Sequence, residues 1–309
     1  MRNADGNGKG GESEIQHQKS RIRIIAYRGF STRYVAERMA RAFADLGCGV
    51  QGPDSAPPPP GSRLPTPDLS FVYYRWMRKD GAVRRPRALW LVDEPYQWPA
   101  SLTWPRLFDW TFINERATLE AHGAGAGRHV YWLPPAYEPL TVTDPIRCDV
   151  ALVGAGFPNR RALLRSILPD LSGRDVRLVG PDWPAAWHPR DEWVQPSEAA
   201  RYYAGATVNL NIHRAPRTDY PGPAPTALNF RAFEIAAVGG FQILDAREDA
   251  AIFIPSAVTF DGTIKDLRRK VLHHLTHDAE REAIAAACRR EAAPHTFEAR
   301  ARTVLQVVG

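Results

Sequence analysis

The densest chemistry in the chain lies in residues 228–240, LNFRAFEIAAVGG, which run on into FQILD. Arg231 and Glu234 stand at the start of a short apolar helix that leads into a glycine pair and a buried strand. Such a junction can hold a nucleotide from two sides. Backbone N–H groups and the positive end of the helix dipole favour phosphate, the Arg231 guanidinium adds fixed charge, and Glu234 can accept hydrogen bonds from ribose hydroxyls. The same letters also fit an ordinary helix-to-strand turn with a surface Arg–Glu pair.

Other residues of the right types stand at strand ends. Gly154 and Gly156 follow the apolar run 149–153, with Asn159, Arg160 and Arg161 directly after. A glycine turn lets phosphate approach the backbone, and a helix opening on arginines supplies donors, with Arg161 the expected phosphate ligand. In residues 207–212 (TVNLNI) apolar and polar positions alternate, so Asn209, Asn211 and His213 share one face. Asn211, His213 and Arg214 are expected to reach a cleft, whereas Asn209 fits a satisfied core amide equally well. Asp93 and Glu94 come right after ALWLV (88–92). A carboxylate there is a candidate general base, and a cap on the next turn is the plainer reading of Asp93. Arg28, on the first strand–helix loop, is a further candidate contact for acceptor or phosphate, and Arg217 is expected only to be solvated.

These positions need elements to carry them. Residues 23–27, 70–74, 88–92, 110–113 and 129–133 read as strands, and Val35, Met39, Phe43 and Leu46 recur at helical spacing. Nearly continuous apolar strands separated by helix-length segments predict a doubly wound parallel sheet, whose ligands meet the carboxyl ends of the strands. The proline-rich stretch 133–145 marks a boundary. Beyond it, strands at 148–153, 175–179, 207–212 and 240–244 alternate with helices at 160–167, 197–203, 230–238, 264–275 and 280–291. The expected plan is a disordered lead at 1–20, one α/β domain at 21–140 and a second at 146–309. The prolines at 57–60 require an exposed loop.

Composition narrows the class. At 309 residues, 44% hydrophobic and 24% charged, the chain is globular and long enough for two cores. No apolar run approaches the ~20 residues of a membrane span, and the N-terminus lacks the apolar core of a signal peptide. Three scattered cysteines argue against a disulfide framework or a zinc site and favour a reducing, cytoplasmic setting. The net charge of +6 favours an anionic partner, but no basic run interleaved with aromatics points to nucleic acid.

The order of motifs says more than any one of them. DVALVGAGFPNRRALL (149–164), LVGPDW (178–183), YYAGATVNLNIHR (202–214), LNFRAFEIAAVGGFQILD (228–245) and HTFEARA (295–301) occur in sequence. Together they resemble the CgeB-like, or spore-maturation-type, glycosyltransferases, with a looser match at ALWLVDEPY, FDWTFINE and YWLPPAYEP in the first half. The resemblance implies an α/β GT-B fold: two Rossmann-like domains facing a central cleft, acceptor mainly on the first and nucleotide sugar mainly on the second. It implies transfer of a sugar from a nucleoside diphosphate sugar to a hydroxyl-bearing small molecule, peptide or glycan. The implied donor set is Gly154, Gly156, Arg161, Asn211, His213, Arg214, Asn229, Arg231 and Glu234, with Glu234 on the ribose. The large retaining group carries an earlier glutamate, which would fall near Thr226 and is missing, so the stereochemical outcome stays open. No DxD sequence is present, and a metal-independent mechanism without a cofactor is expected. Two other readings remain: a nucleotide-sugar epimerase or non-catalytic nucleotide-binding module on the same fold, and a nucleic-acid-modifying glycosyltransferase.

Overall fold

The computed structural model of the chain describes residues 21–26, 30–51, 69–74, 86–126 and 129–309. Arg28, the prolines at 57–60 and the lead at 1–20 lie outside the described residues.

The first half runs β1 (Arg21–Ala26), α1 (Phe30–Asp45), β2 (Gly49–Gln51), β3 (Leu69–Tyr74), β4 (Arg87–Leu91), β5 (Trp110–Ile113), α2 (Leu119–Ala126) and β6 (Val130–Trp132). Its six strands are parallel, in the order β2-β1-β3-β4-β5-β6. β4 is buried from Ala88 to Leu91, as an unbroken apolar run covered on both faces should be. Val35, Met39 and Phe43, one helical turn apart on α1, pack with Ile22, Ala88, Trp90 and Phe112. The Trp90 indole N–H donates to the Leu133 carbonyl at 3.0 Å, so its polar atom is satisfied inside the core.

The second half runs β7 (Cys148–Val153), α3 (Pro158–Ile167), β8 (Val176–Val179), α4 (Pro196–Gly205), β9 (Ala206–Asn211), α5 (Phe230–Ala237), β10 (Gln242–Asp245), α6 (Ala250–Phe253), β11 (Val258–Phe260), α7 (Ile264–His274), α8 (Asp278–Ala292) and α9 (Phe297–Val308). Its parallel sheet has the order β11-β10-β9-β7-β8. Val150, Leu152, Val208, Leu210 and Ile243 from the strands meet Leu164 and Ile167 of α3 and Leu267 and Val271 of α7.

Both sheets therefore share one winding. The first strand lies between the second and the third, so the order reverses beside β1 in one sheet and beside β7 in the other. Loops on the two sides of such a reversal part and leave a crevice at the strand ends. The last helix breaks the symmetry by returning to the first sheet. Phe297, Ala301 and Val304 of α9 share a core with Val35, Met39 and Phe43 of α1. Arg300, buried beneath, donates to the carbonyls of Pro134 at 2.8 Å and Pro135 at 3.0 Å. Periodicity does not mark β2 or β11, since three residues carry no period, and α2 and α9 are also additions to the sequence reading.

Candidate functional site

A cleft of about 330 Å³ opens where the strand ends of the two sheets face each other, a size at the lower end for small-ligand pockets. On the second-sheet side it follows the crevice between β7 and β9. Gly154 leaves β7 at φ +142°, a backbone region open to glycine. A Cβ there would lie 2.3 Å from Nη1 of Arg231 and 3.0 Å from Nη1 of Arg160, so the glycine makes room for both guanidiniums.

Arg231 projects from the first turn of α5 and donates to the Val153 carbonyl. Arg160 projects from the first turn of α3 and donates through Nε to the Ile212 carbonyl at 2.8 Å and through Nη1 to the Ala155 carbonyl at 2.7 Å. Arg160 is only 2% exposed. Burial, with Arg231 alongside, works against its positive charge, yet a guanidinium keeps its proton. The cheapest remedy for two neighbouring cations here is an anion between the walls. Arg214 adds a third cation, 4.8 Å from the Tyr96 ring centre and 4.9 Å from that of Phe157. Arg247 adds a fourth, held by Asp245 at 2.9 Å and by the Pro225 carbonyl at 2.9 Å.

Beneath these cations a polar network fixes the start of α5. The Asn229 side chain accepts from the Ala232 N–H at 3.0 Å, which caps the helix, and donates to Asn211 Oδ1 at 2.8 Å. The Asn229 N–H donates to His213 Nε2 at 3.0 Å, so the His213 proton sits on Nδ1 and faces Asp245 Oδ1 at 2.7 Å. Burial pushes the His213 pKa down, which keeps the ring neutral. Burial works against the Asp245 carboxylate too, but hydrogen bonds from His213 and the charge of Arg247 hold its pKa below the usual carboxylate range. With both nitrogens engaged, His213 is a pillar rather than a proton carrier.

The first-sheet wall brings carboxylates. Glu234, from the second half, accepts from the Tyr34 hydroxyl of α1 at 2.8 Å and so bridges the cleft. Burial raises the Glu234 pKa, against the pull of Tyr34, Arg231 and Arg38. Asp93 follows β4 and accepts from Gln97 Nε2 at 3.3 Å. Glu94, 3% exposed, lines the cleft. Burial pushes its pKa from 4.5 up to about 7; the Ser101 hydroxyl pulls back, while Asp93 and Glu115 push further. Glu115, after β5 and fully buried, reaches across to the second half. It accepts from the Thr226 hydroxyl at 2.6 Å, the Thr226 N–H at 3.0 Å and the Ala227 N–H at 3.1 Å.

Of the residues expected from sequence, the cleft gathers Asp93, Glu94, Gly154, His213, Arg214, Asn229, Arg231 and Glu234. It does not gather Gly156, Arg161 or Asn211. Gly156 packs under the 182–183 backbone, where an added Cβ would lie 2.5 Å from the Asp182 carbonyl oxygen. Arg161 lies on an outer groove with Arg165 and donates to that same carbonyl at 3.0 Å. Asn211 is 0% exposed and spends its amide on Gln242 at 3.0 Å and on Asn229. Asn209 is a core amide bonded to the Tyr203 and Phe241 carbonyls. Arg160, which the sequence reading named only beside the favoured Arg161, belongs to the cleft, as do Arg247, Tyr34 and Glu115, to which it gave no role. A signal existed for two of them. Arg160 keeps the spacing of the buried Leu164 and Ile167, and Glu115 ends a buried strand as Asp93 and Glu94 do. Among the described residues, metal-ligand types gather at His273, His274 and Glu280, whose ligand atoms lie within 4.8 Å of one another, but that group does not line the cleft. No helix of the described residues is long and apolar enough to cross a membrane.

Comparison with known proteins places this arrangement. Residues 160–306 match a family described as glycosyl transferase-like. Spore protein CgeB of Bacillus subtilis (strain 168) is 27% identical over 237 residues, 69% of this chain and 72% of that protein. Among solved structures, AviGT4, a glycosyltransferase involved in avilamycin A biosynthesis, superposes with a TM-score of 0.61 at 13% identity, over 94% of this chain and 97% of that one. Sucrose-phosphate synthase from Thermosynechococcus elongatus does so with a TM-score of 0.62 at 13% identity, over 93% and 98%. At such identities the solved structures speak for the fold, and that fold is GT-B.

Proposed function

We propose that the chain, which has the GT-B fold and is similar to spore protein CgeB, takes a nucleoside diphosphate sugar in its cleft and passes the sugar to a hydroxyl of an acceptor held on the first-sheet wall. The observation that carries this reading is the pair formed by buried Arg160 and half-buried Arg231 around Gly154, two cations whose charge calls for a diphosphate. In the transfer, the bond from the anomeric carbon to the diphosphate oxygen breaks and a bond to the acceptor oxygen forms. Negative charge grows on the leaving diphosphate, where Arg160, Arg231 and Arg214 stabilise it as preorganised positive charge. Four arginines in the cleft support a metal-independent mechanism. Glu234 accepts from ribose hydroxyls beside its bond to Tyr34, and His213 and Asn229 hold the α5 N-terminus to the phosphate. Arg161 and Asn211 are left out of the donor set.

Asp93 is the proposed partner of the acceptor hydroxyl, orienting it and drawing off its proton. Retention at the anomeric carbon, with the acceptor entering on the face the diphosphate leaves, is the proposed stereochemistry, and the anomer of the product read by NMR decides it. The test of the whole reading is a panel of nucleoside diphosphates and their sugars. One of the diphosphates should raise the melting temperature, and its sugar should be hydrolysed slowly without acceptor. No response to any member would sink it.

A further inference from the structure

The corner between α7 and α8 gathers imidazoles away from the cleft. His273 and His274 end α7, His277 stands in the turn that follows, and Glu280 lies in the first turn of α8. One ligand atom from each of His273, His274 and Glu280 lies within 4.8 Å of the other two, so these side chains converge on one point. His273 Nε2 and Glu280 Oε2 already stand 2.7 Å apart.

A surface hydrogen-bonded pair would account for His273 and Glu280, whose side chains are 41% and 47% exposed. It does not account for His274. That residue is 4% exposed, its ring centre lies 4.6 Å from that of Phe241, and its Nδ1 has no hydrogen-bond partner. A buried imidazole with an unpaired nitrogen costs free energy, and metal ligation is a use for such a ring. The outer imidazole is held as well. The His277 ring stacks on that of His273 with 3.7 Å between centres and 22° between planes, and His277 Nδ1 donates to the His273 carbonyl at 2.6 Å. Outer contacts of this kind orient a ligand before the ion arrives.

We propose that His273, His274 and Glu280 bind one divalent transition-metal ion of the zinc type, with water completing a four-coordinate shell. Two imidazoles and a carboxylate suit zinc, whereas calcium and magnesium take oxygen ligands throughout. From their present separations the three ligand atoms reach metal bonds of about 2.1 Å with movements of roughly 0.5 Å each. The exposed His273 and Glu280 leave the ion a path from solvent. Because the group does not line the cleft, the ion is structural. It clamps the end of α7 to the start of α8, and Cys288 and Ala292 of α8 share a core with Phe233 and Ala236 of α5. The helix that carries Arg231 and Glu234 is thereby braced from behind.

The test uses the full chain without a polyhistidine tag, stripped of metal with EDTA, and titrates it with zinc chloride alone. Calorimetry should show one equivalent taken up, and the melting temperature should rise with zinc concentration but not with magnesium. His273→Gln and Glu280→Gln, both at exposed positions, should each weaken zinc binding at least about tenfold and leave the zinc-free melting temperature nearly unchanged. Cobalt(II) in place of zinc should give the intense visible absorption of a four-coordinate ion, which the same variants lose. Absence of zinc uptake, or uptake that both variants leave unaltered, overturns the proposal. No nucleotide is present in any arm, so the outcome does not depend on what the cleft binds.

Discussion

The two sheets have the same winding, yet their cleft walls are chemically opposite. The second presents Arg160, Arg214, Arg231 and Arg247 around a glycine turn, and the first presents Asp93, Glu94 and Glu115 at the ends of β4 and β5. The second wall uses the place where its strand order reverses, between β7 and β9. The first wall puts its acids two strands further along its own sheet. Topology therefore tells where a ligand can enter, and side-chain charge tells which ligand. A fold shared by two halves does not make them share a task.

The sharpest way to break this contrast is at Asp93. Asp93→Asn should lower kcat about 100-fold or more while donor affinity stays constant, as expected when a group handling the acceptor proton is lost. A parallel fall in nucleoside diphosphate affinity would show that the walls are not separate. Gly154→Ala should do the reverse. With 2.3 Å between the new methyl and Arg231, the guanidinium must leave, and nucleoside diphosphate affinity should fall about 100-fold in calorimetry. Glu115→Gln tests the seam between the halves. It removes a buried charge that holds the Thr226 and Ala227 N–H groups and should cost about 3 kcal/mol in denaturant unfolding.

The smallest expected effect runs the other way. The folded-state pKa of Glu94, about 7, lies above its ordinary 4.5, so the folded chain holds a proton that the unfolded chain releases between those values. Stability present below pH 4.5 is then lost as pH rises through 7. Glu94→Gln never ionises and escapes the loss. It should match the parent at pH 4 and exceed it by roughly 2 kcal/mol at pH 8.

Much of this was legible in the letters, for physical reasons that also set the limit. Long buried strands such as 88–91 and 148–153 announce themselves by composition, and both Arg231 and Glu234 of the helix start line the cleft. Arg160 lines the cleft and Arg161 does not, a difference that two adjacent arginines hide until the helix phase is used. Arg160 shares a face with Leu164 and Ile167, and Arg161 shares one with Arg165. Asn211 misled because a polar face on an inner strand can be satisfied from within, here by Gln242. Glu115 was invisible in its role because its partners, Thr226 and Ala227, lie more than a hundred residues away in the chain.

The return of α9 to α1 has a consequence for how the molecule comes into being. Translation delivers β1 and α1 first, but the hydrophobic face formed by Val35, Met39 and Phe43 lacks one of its walls until Phe297, Ala301 and Val304 emerge. The half made first is thus the half finished last. A ribosome that stalls before residue 297 leaves an apolar face bare, a natural handle for chaperones and a hazard for the nascent chain.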